Sequence, residues 1–297
     1  MNSNRKSIVI INPFINYFLV LLDILKKIYP QKKNQAVDSI LRTHEKEGFV
    51  VSNFIYFAII KIQKLFESDK SKKTTRQKEY KKSIMKGHFL LPDGIALQLF
   101  YNILSKKYSL PTAQLPNLNG TDFVPYFLDE IKKRYGSQKI CLYLYGTKPD
   151  IIGETKKAFE FKGFNVIYTQ DGYSELDRDK VEKQKSKYQD TLDILLVARS
   201  TPDNPIQELR TMKNRSKIKN NSFFVFNVGG LFDFLASEVQ DKTVKKFTQK
   251  RAPKIVRKIK LERLWRVITD PKRNYQKVKN SFSVFPYIFK YLLLKKD

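Results

Sequence analysis

Apolar residues along this chain fall in short runs, each closed by glycine, asparagine, aspartate or proline. Short runs rich in β-branched and aromatic residues predict buried strands, and apolar positions recurring every third or fourth residue predict helices. On that pattern Gln35 to Arg42 predicts a helix feeding Gly48-Phe-Val-Val-Ser-Asn53, a strand and its turn. Phe54 to Phe66 predicts a further apolar helix, and Glu67 to Lys82, strongly charged, a solvated loop or frayed helix. Phe89 to Pro92 predicts a strand closing at Asp93-Gly94, with Ile95 to Leu104 continuing as a helix. Asn119-Gly120-Thr121-Asp122 predicts the cap of a helix over Phe123 to Arg134.

The middle of the chain repeats this alternation more clearly. Lys139 to Tyr145 predicts a strand, Gly146-Thr-Lys-Pro149 a turn and Asp150 to Phe161 a helix. Asn165 to Thr169 predicts a strand ending in Asp171-Gly172-Tyr173, and Asp193 to Ala198 another. A loop over Ser200 to Pro205, a helix over Glu208 to Ser216 and a strand over Ser222 to Asn227 follow. Strands alternating with helices predict an α/β fold: a Rossmann-like parallel sheet with helices on both faces. The expected organisation is an apolar N-terminal extension (1–34), an α/β core (35–240) and a basic amphipathic C-terminal appendage (241–297).

Ser7 to Leu22 is uncharged and mostly apolar, but Asn12, Pro13 and Asn16 interrupt it, and a bilayer span needs about 20 apolar residues. Arg5 and Lys6 suit a signal-peptide start, yet no small-residue cleavage site follows. An interfacial or core-packed helix is the expectation.

Charge changes the picture more than composition does. The 297 residues carry 57 Lys+Arg against 29 Asp+Glu, a net +28, which predicts phosphate-bearing partners: nucleic acid, anionic lipid or a nucleotide sugar. The 41% hydrophobic content excludes global disorder, and 29% charged residues exclude a polytopic membrane protein. One cysteine, Cys141, and two histidines, His44 and His88, leave no internal disulfide and no thiolate or histidine-rich metal cluster. No metal or cofactor is expected, and a reducing, cytoplasmic setting is the expectation.

The candidate chemistry lies at the strand ends. Val228-Gly-Gly-Leu-Phe-Asp-Phe-Leu-Ala236 places a glycine turn after a buried strand, where α/β folds commonly hold a ligand. No Gly-x-Gly-x-x-Gly follows the first strand and no Walker lysine loop exists, which disfavours ordinary dinucleotide or ATP chemistry. Gly146-Thr-Lys-Pro149 is either a phosphate-facing turn at a helix start or simply a tight βα turn. Asp93, at a strand end before glycine, is either a general base or a turn-forming residue. Asp233, between two phenylalanines, reads as a structural carboxylate.

In residues 241–297, 18 Lys+Arg stand against 4 Asp+Glu. Phe247, Ile255, Val256, Ile259, Leu264, Trp265, Val267 and Ile268 recur near helical spacing among those basic residues, and an apolar segment spans Phe282 to Leu294. That combination predicts an anionic membrane surface as partner, with intramolecular packing or nucleic acid as alternatives.

These segments, in this order, resemble the WecG/TagA/CpsF glycosyltransferases, glycosyltransferase family 26, from about Gln35 to Arg273. The pieces are Val51-Ser-Asn53, Leu91-Pro-Asp-Gly-Ile95, Gly120-Thr-Asp122, Tyr145-Gly-Thr-Lys-Pro149, Asp171-Gly-Tyr173 and Asp193-Ile-Leu-Leu-Val197. They continue through Pro205-Ile-Gln-Glu208, Val228 to Ala236, Arg251-Ala-Pro253, Leu261-Glu262, Leu264-Trp-Arg266 and Pro271-Lys-Arg273. Asn117 stands where the family often has arginine, Thr201 to Asn204 and about nine residues near Asp241 to Gln249 are insertions, and Lys260 and Arg263 replace a family glycine and tryptophan.

The resemblance implies an inverting transfer of a sugar (N-acetylmannosamine, its uronate or a related hexose) from a UDP-sugar to a polyprenyl-diphosphate-linked saccharide. The place implied is the cytoplasmic face of a bacterial cell membrane, in surface polysaccharide or teichoic acid synthesis. Asp93 would be the general base, with Asn53 and Gln207 contacting substrate. Gly146, Gly172, Tyr173 and the Gly229-Gly230 turn would line the UDP pocket. Ser52, Gly94, Gly120, Lys148, Pro149, Glu208 and Asp233 would be further contacts, and Arg266 and Arg273 would close over the donor diphosphate. A homo-oligomer is compatible with this. Two readings compete: a non-catalytic nucleotide-sugar-binding membrane scaffold, and a basic nucleic-acid-binding protein, for which no recognition motif is present.

Overall fold

A computed structural model of the protein describes residues 22–56, 83–112, 114–198 and 222–239, and the single positions 211 and 268. Its elements in chain order are α1 (Lys33–Glu47), β1 (Phe49–Tyr56), β2 (Phe89–Asp93), α2 (Ile95–Lys107), α3 (Gly120–Tyr135), β3 (Ile140–Gly146) and α4 (Pro149–Phe161). They continue with β4 (Asn165–Gln170), α5 (Arg178–Lys185), β5 (Leu192–Ala198), β6 (Phe223–Asn227) and α6 (Leu231–Val239). The strands form one sheet in the order β2-β1-β6-β5-β3-β4, and every pair is parallel. The expected Rossmann-like α/β architecture is what the described residues build.

Alternation along each strand sorts side chains to two cores. Val50, Leu142, Leu144, Ile194, Leu196, Phe224 and Phe226 pack on one face with residues of α1, α3, α4 and α6. Val51, Cys141, Tyr143, Tyr145, Leu195, Val197 and Val225 face the other side with Leu176 and with Val181 of α5. Aromatic rings bind the first layer together: Phe127 lies 5.7 Å from Phe224 and 4.9 Å from Phe226, centre to centre. Burial of each such ring contributes about 1.5–3 kcal/mol.

Several boundaries move. β1 continues through Phe54 to Tyr56, three residues that the apolar run assigned to a helix, because β2 pairs with it as far as Tyr56 opposite Asp93. Phe54 is buried edge-on to Phe123, 6.2 Å away. The rest of that predicted helix, the charged segment to Lys82, the Ser200 to Pro205 loop and the appendage apart from Ile268 lie outside the described residues. So does the predicted Glu208 to Ser216 helix apart from Thr211, which is helical. α3 starts at Gly120 rather than Phe123, with Asn119 as its cap as expected. The end of the N-terminal extension packs on the sheet: Leu25 and Ile28 are buried, Ile28 bridges Leu90, and the Tyr29 N–H donates to the Leu90 carbonyl at 2.8 Å.

The amino edge of the sheet holds a buried ion pair. Asp193 is almost wholly enclosed, with Oδ2 2.6 Å from Lys185 Nζ. Its Oδ1 accepts from the Tyr143 and Thr191 hydroxyls, each at 3.2 Å. Burial pushes the Asp193 pKa up against the opposing pull of Lys185, and pushes the Tyr143 hydroxyl up as well. Thr191 and Asp193 stand at the beginning of β5, at the opposite edge from the residues considered next.

Candidate active site

The carboxyl edge of the sheet collects the predicted site residues that are described. The chain leaves β3 toward β4 on one side and leaves β5 toward β6 on the other. Such a divergence opens a crevice beyond the strand ends. Asn53 is in register with Asn227, the last residue of β6, and β1 runs three residues further.

On the β3–β4 side the rim is held by backbone bonds. The Thr147 N–H donates to the Ala198 carbonyl at 3.0 Å, and the Gly172 N–H donates to the Thr147 carbonyl at 2.8 Å. Pro149 opens α4 directly after this turn, with Lys148 exposed at the cap. Tyr173 is 64% exposed, its N–H held by Asp171 Oδ1 at 2.8 Å. The Tyr145 hydroxyl anchors the same loop by donating to the Ser174 carbonyl at 2.9 Å.

In the middle of the edge, the Val228 N–H donates to the Val197 carbonyl at 2.9 Å, and the chain turns through Gly229 and Gly230 into α6. Both glycines are exposed, and nothing lies within 4 Å of where a side chain on Gly229 would stand. Asp233 is half-buried in the first turn of α6. The buried Thr155 hydroxyl, on α4, donates to Ile151 O at 2.8 Å and lies 3.2 Å from Phe232 O, tying α4 to α6. Both helices start at the carboxyl edge, so two helix N-termini, with their unsatisfied N–H groups, open on one rim. That arrangement attracts an anion.

On the β2 side, Asp93 is half-buried at the strand end. Gly94 takes φ 92°, a conformation that favours glycine, and its N–H donates to Asn117 Oδ1 at 2.9 Å. The Leu118 N–H donates to the Pro92 carbonyl at 2.7 Å. The same segment then caps α3: Asn119 Oδ1 accepts from the Asp122 N–H at 3.0 Å and from the Thr121 hydroxyl at 2.7 Å. Gly120 is buried there against the Phe54 ring. Asn117, where the resemblance leads one to expect arginine, therefore shapes the turn that presents Asp93.

Ser52 and Asn53 are fully buried. Asn227 Nδ2 donates to Asn53 Oδ1 at 2.6 Å, and the Thr211 hydroxyl donates to Asn227 Oδ1 at 2.8 Å. Among the described residues, Asn53 Nδ2 and Ser52 Oγ have no hydrogen-bond partner. Asn227 was not among the residues expected from sequence. Its signal is an amide at the end of an otherwise apolar strand, Phe223-Phe-Val-Phe226.

Sheet order thus divides the site. Asp93, Gly94, Asn53 and Gly120 lie at one end, and Gly146, Lys148, Pro149, Gly172 and Tyr173 at the other, with Gly229, Gly230 and Asp233 between. At about 4.8 Å per strand, β2 and β3 stand roughly 19 Å apart. Gln207, Glu208, Arg266 and Arg273 lie outside the described residues. Among the described residues no group of three His, Cys, Asp or Glu is placed to hold a metal ion.

The model of the Glycosyl transferase WecG/TagA/CpsF family matches residues 30–297, nearly the whole chain. The chain belongs to that family of glycosyltransferases.

Proposed function

We propose that this family member transfers a sugar, with inversion, from a UDP-sugar to a polyprenyl-diphosphate-linked saccharide. The observation that carries the reading is the spacing along the sheet edge. Asp93 ends β2, and the Gly229-Gly230 turn with its paired helix starts lies two strands away, about 10 Å at the usual strand spacing. That separation suits an acceptor hydroxyl at the carboxylate and a donor diphosphate at the helix N-termini. The nucleoside would extend toward Gly146, Gly172 and Tyr173, where an exposed ring offers a face to the base.

In the reaction, the Asp93 carboxylate takes the proton of the acceptor hydroxyl. The freed oxygen attacks the anomeric carbon from the side opposite the diphosphate. The bond from that carbon to the β-phosphate oxygen breaks, UDP leaves with the electron pair, and the configuration inverts. Charge developing on UDP is met by the α4 and α6 N-termini, with Lys148 and the appendage's Arg266 and Arg273 as the basic side chains assigned to it. Asn53, Gln207 and Ser52 are assigned to the substrate sugars.

A lipid-linked acceptor requires an approach from a membrane surface, here the cytoplasmic face of a bacterial cell membrane. No described helix is long and apolar enough to cross a membrane. α2, which begins directly after Asp93-Gly94, carries Leu99 and Ile103 one turn apart at 57% and 42% exposure, with Lys106 exposed beyond them. Together with the basic appendage, this favours peripheral association with anionic lipid.

The test is UDP release by the full chain with a panel of UDP-sugars, with and without a short-chain polyprenyl-diphosphoryl-N-acetylglucosamine acceptor in micelles containing anionic lipid. Acceptor-dependent release with one donor is the expected result. A folded protein that releases UDP from no donor would defeat the assignment and leave the scaffold reading in its place.

A further inference from the structure

We infer that Asn227, backed by Thr211, is a positioning residue that fixes the orientation of the Asn53 amide. This rests on Asn53 being a substrate contact, as proposed above. Three polar side chains form a relay with one direction: the Thr211 hydroxyl donates to Asn227 Oδ1, and Asn227 Nδ2 donates to Asn53 Oδ1. All three residues are buried, where an unmade hydrogen bond is costly, so each link constrains the next. An amide has one accepting and one donating end. With the Asn53 oxygen engaged by Asn227, its nitrogen is the end left over, and it is a fully buried donor without a hydrogen-bond partner among the described residues.

The surroundings hold that arrangement in place. A side chain on Gly87 would stand 2.6 Å from Asn53 Nδ2, so the absence of a Cβ there leaves room for the nitrogen. Beyond the Asn53–Asn227 pair β6 has ended while β1 continues, paired with β2, so the relay lies at the carboxyl end of β6, on the same edge of the sheet as Asp93. A donor fixed there matches an acceptor oxygen on the substrate, a sugar hydroxyl or carbonyl. Asn227 touches no substrate in this account. It determines that Asn53 offers nitrogen rather than oxygen.

Carboxylate substitutions test this, because a carboxylate accepts but does not donate. In Asn53→Asp the contact with Asn227 is kept while the leftover donor becomes an acceptor. In Asn227→Asp the Thr211 hydroxyl still has its acceptor, but Asn53 must turn its nitrogen toward position 227, so oxygen is again presented. The two variants should therefore share one defect. With the donor found in the UDP-sugar panel and the short-chain acceptor, each should lose about 10- to 100-fold in kcat/KM and agree within about threefold. Values are normalised to the UDP-binding fraction from calorimetry, which removes any loss through misfolding. Thr211→Ser should keep the wild-type rate and Thr211→Val should lose part of it, and this pair carries the test if Asn227→Asp fails to fold. An impaired Asn53→Asp beside a wild-type Asn227→Asp would overturn the relay while leaving Asn53 as a contact. A wild-type rate in Asn53→Ala, or no turnover with any donor, would remove the reading beneath the proposal and the proposal with it.

Discussion

The backbone N–H of Gly94 donates a 2.9 Å hydrogen bond to the side-chain oxygen of Asn117, 23 residues further along the chain. This bond ties the turn after Asp93 to the segment that caps α3, so a loop side chain determines how the candidate base is presented. Asn117→Ala removes the acceptor and leaves the Gly94 N–H to water. A bond of this kind contributes about 1 kcal/mol, so kcat should fall roughly fivefold to tenfold if the turn's geometry serves the reaction. Thermal denaturation alongside the rate assay separates this from a general loss of fold. An unchanged kcat would mean that Asp93 does not depend on the staple.

The Lys185–Asp193 pair at the amino edge should matter for stability and not for chemistry. Asp193 is 2% exposed at its side chain and Lys185 17%. Lys185→Met would strand a buried carboxylate and cost about 3–5 kcal/mol, read as a lower urea midpoint. Once folded, the variant should turn over at a rate close to wild type. A selective loss of activity with an unchanged midpoint would argue against a purely structural pair.

Acid should weaken the fold partly through His44. Burial first, and Lys185 second, lower its pKa below the ordinary 6.5, and its ring stacks on Phe224 at 3.9 Å. The unfolded chain therefore takes up a proton near pH 6.5 that the folded chain takes up only at lower pH. Stability from this group is present above that value and is lost as pH falls toward the folded pKa. Asp193, with a raised pKa, contributes in the opposite sense but is common to wild type and variant. His44→Phe should thus lose less Tm than wild type between pH 7.5 and 5.5. Equal losses in the two proteins would remove His44 as a source of acid sensitivity.

Much of this architecture is legible in the sequence because a parallel sheet buried on both faces demands nearly continuous apolar runs. Phe223-Phe-Val-Phe226 and Ile140 to Tyr145 are such runs, short and rich in aromatic and β-branched residues, and both are strands. The same property misleads at β1: apolar character continues past Asn53, and only pairing with β2 keeps Phe54 to Tyr56 extended. α5 escapes notice because Val181 is its one buried residue, leaving no apolar period to detect. Asp93 stands out as an Asp-Gly pair closing an apolar run, and the glycines at the end of β3 and after β4 and β6 stand out similarly. Asn227 does not, since a polar residue after a strand looks like ordinary punctuation. Its partner Asn53 is 174 residues away, and only the β1–β6 register brings them together.

The central claim is that Asp93 is the base in sugar transfer, and acceptor-dependent UDP release by the full chain, wild type beside Asp93→Asn, tests it most directly. Asparagine keeps the shape but cannot take the proton, so kcat should fall about 100- to 10,000-fold, with UDP affinity within a few-fold of wild type. An Asp93→Asn protein that turns over at the wild-type rate would contradict the account.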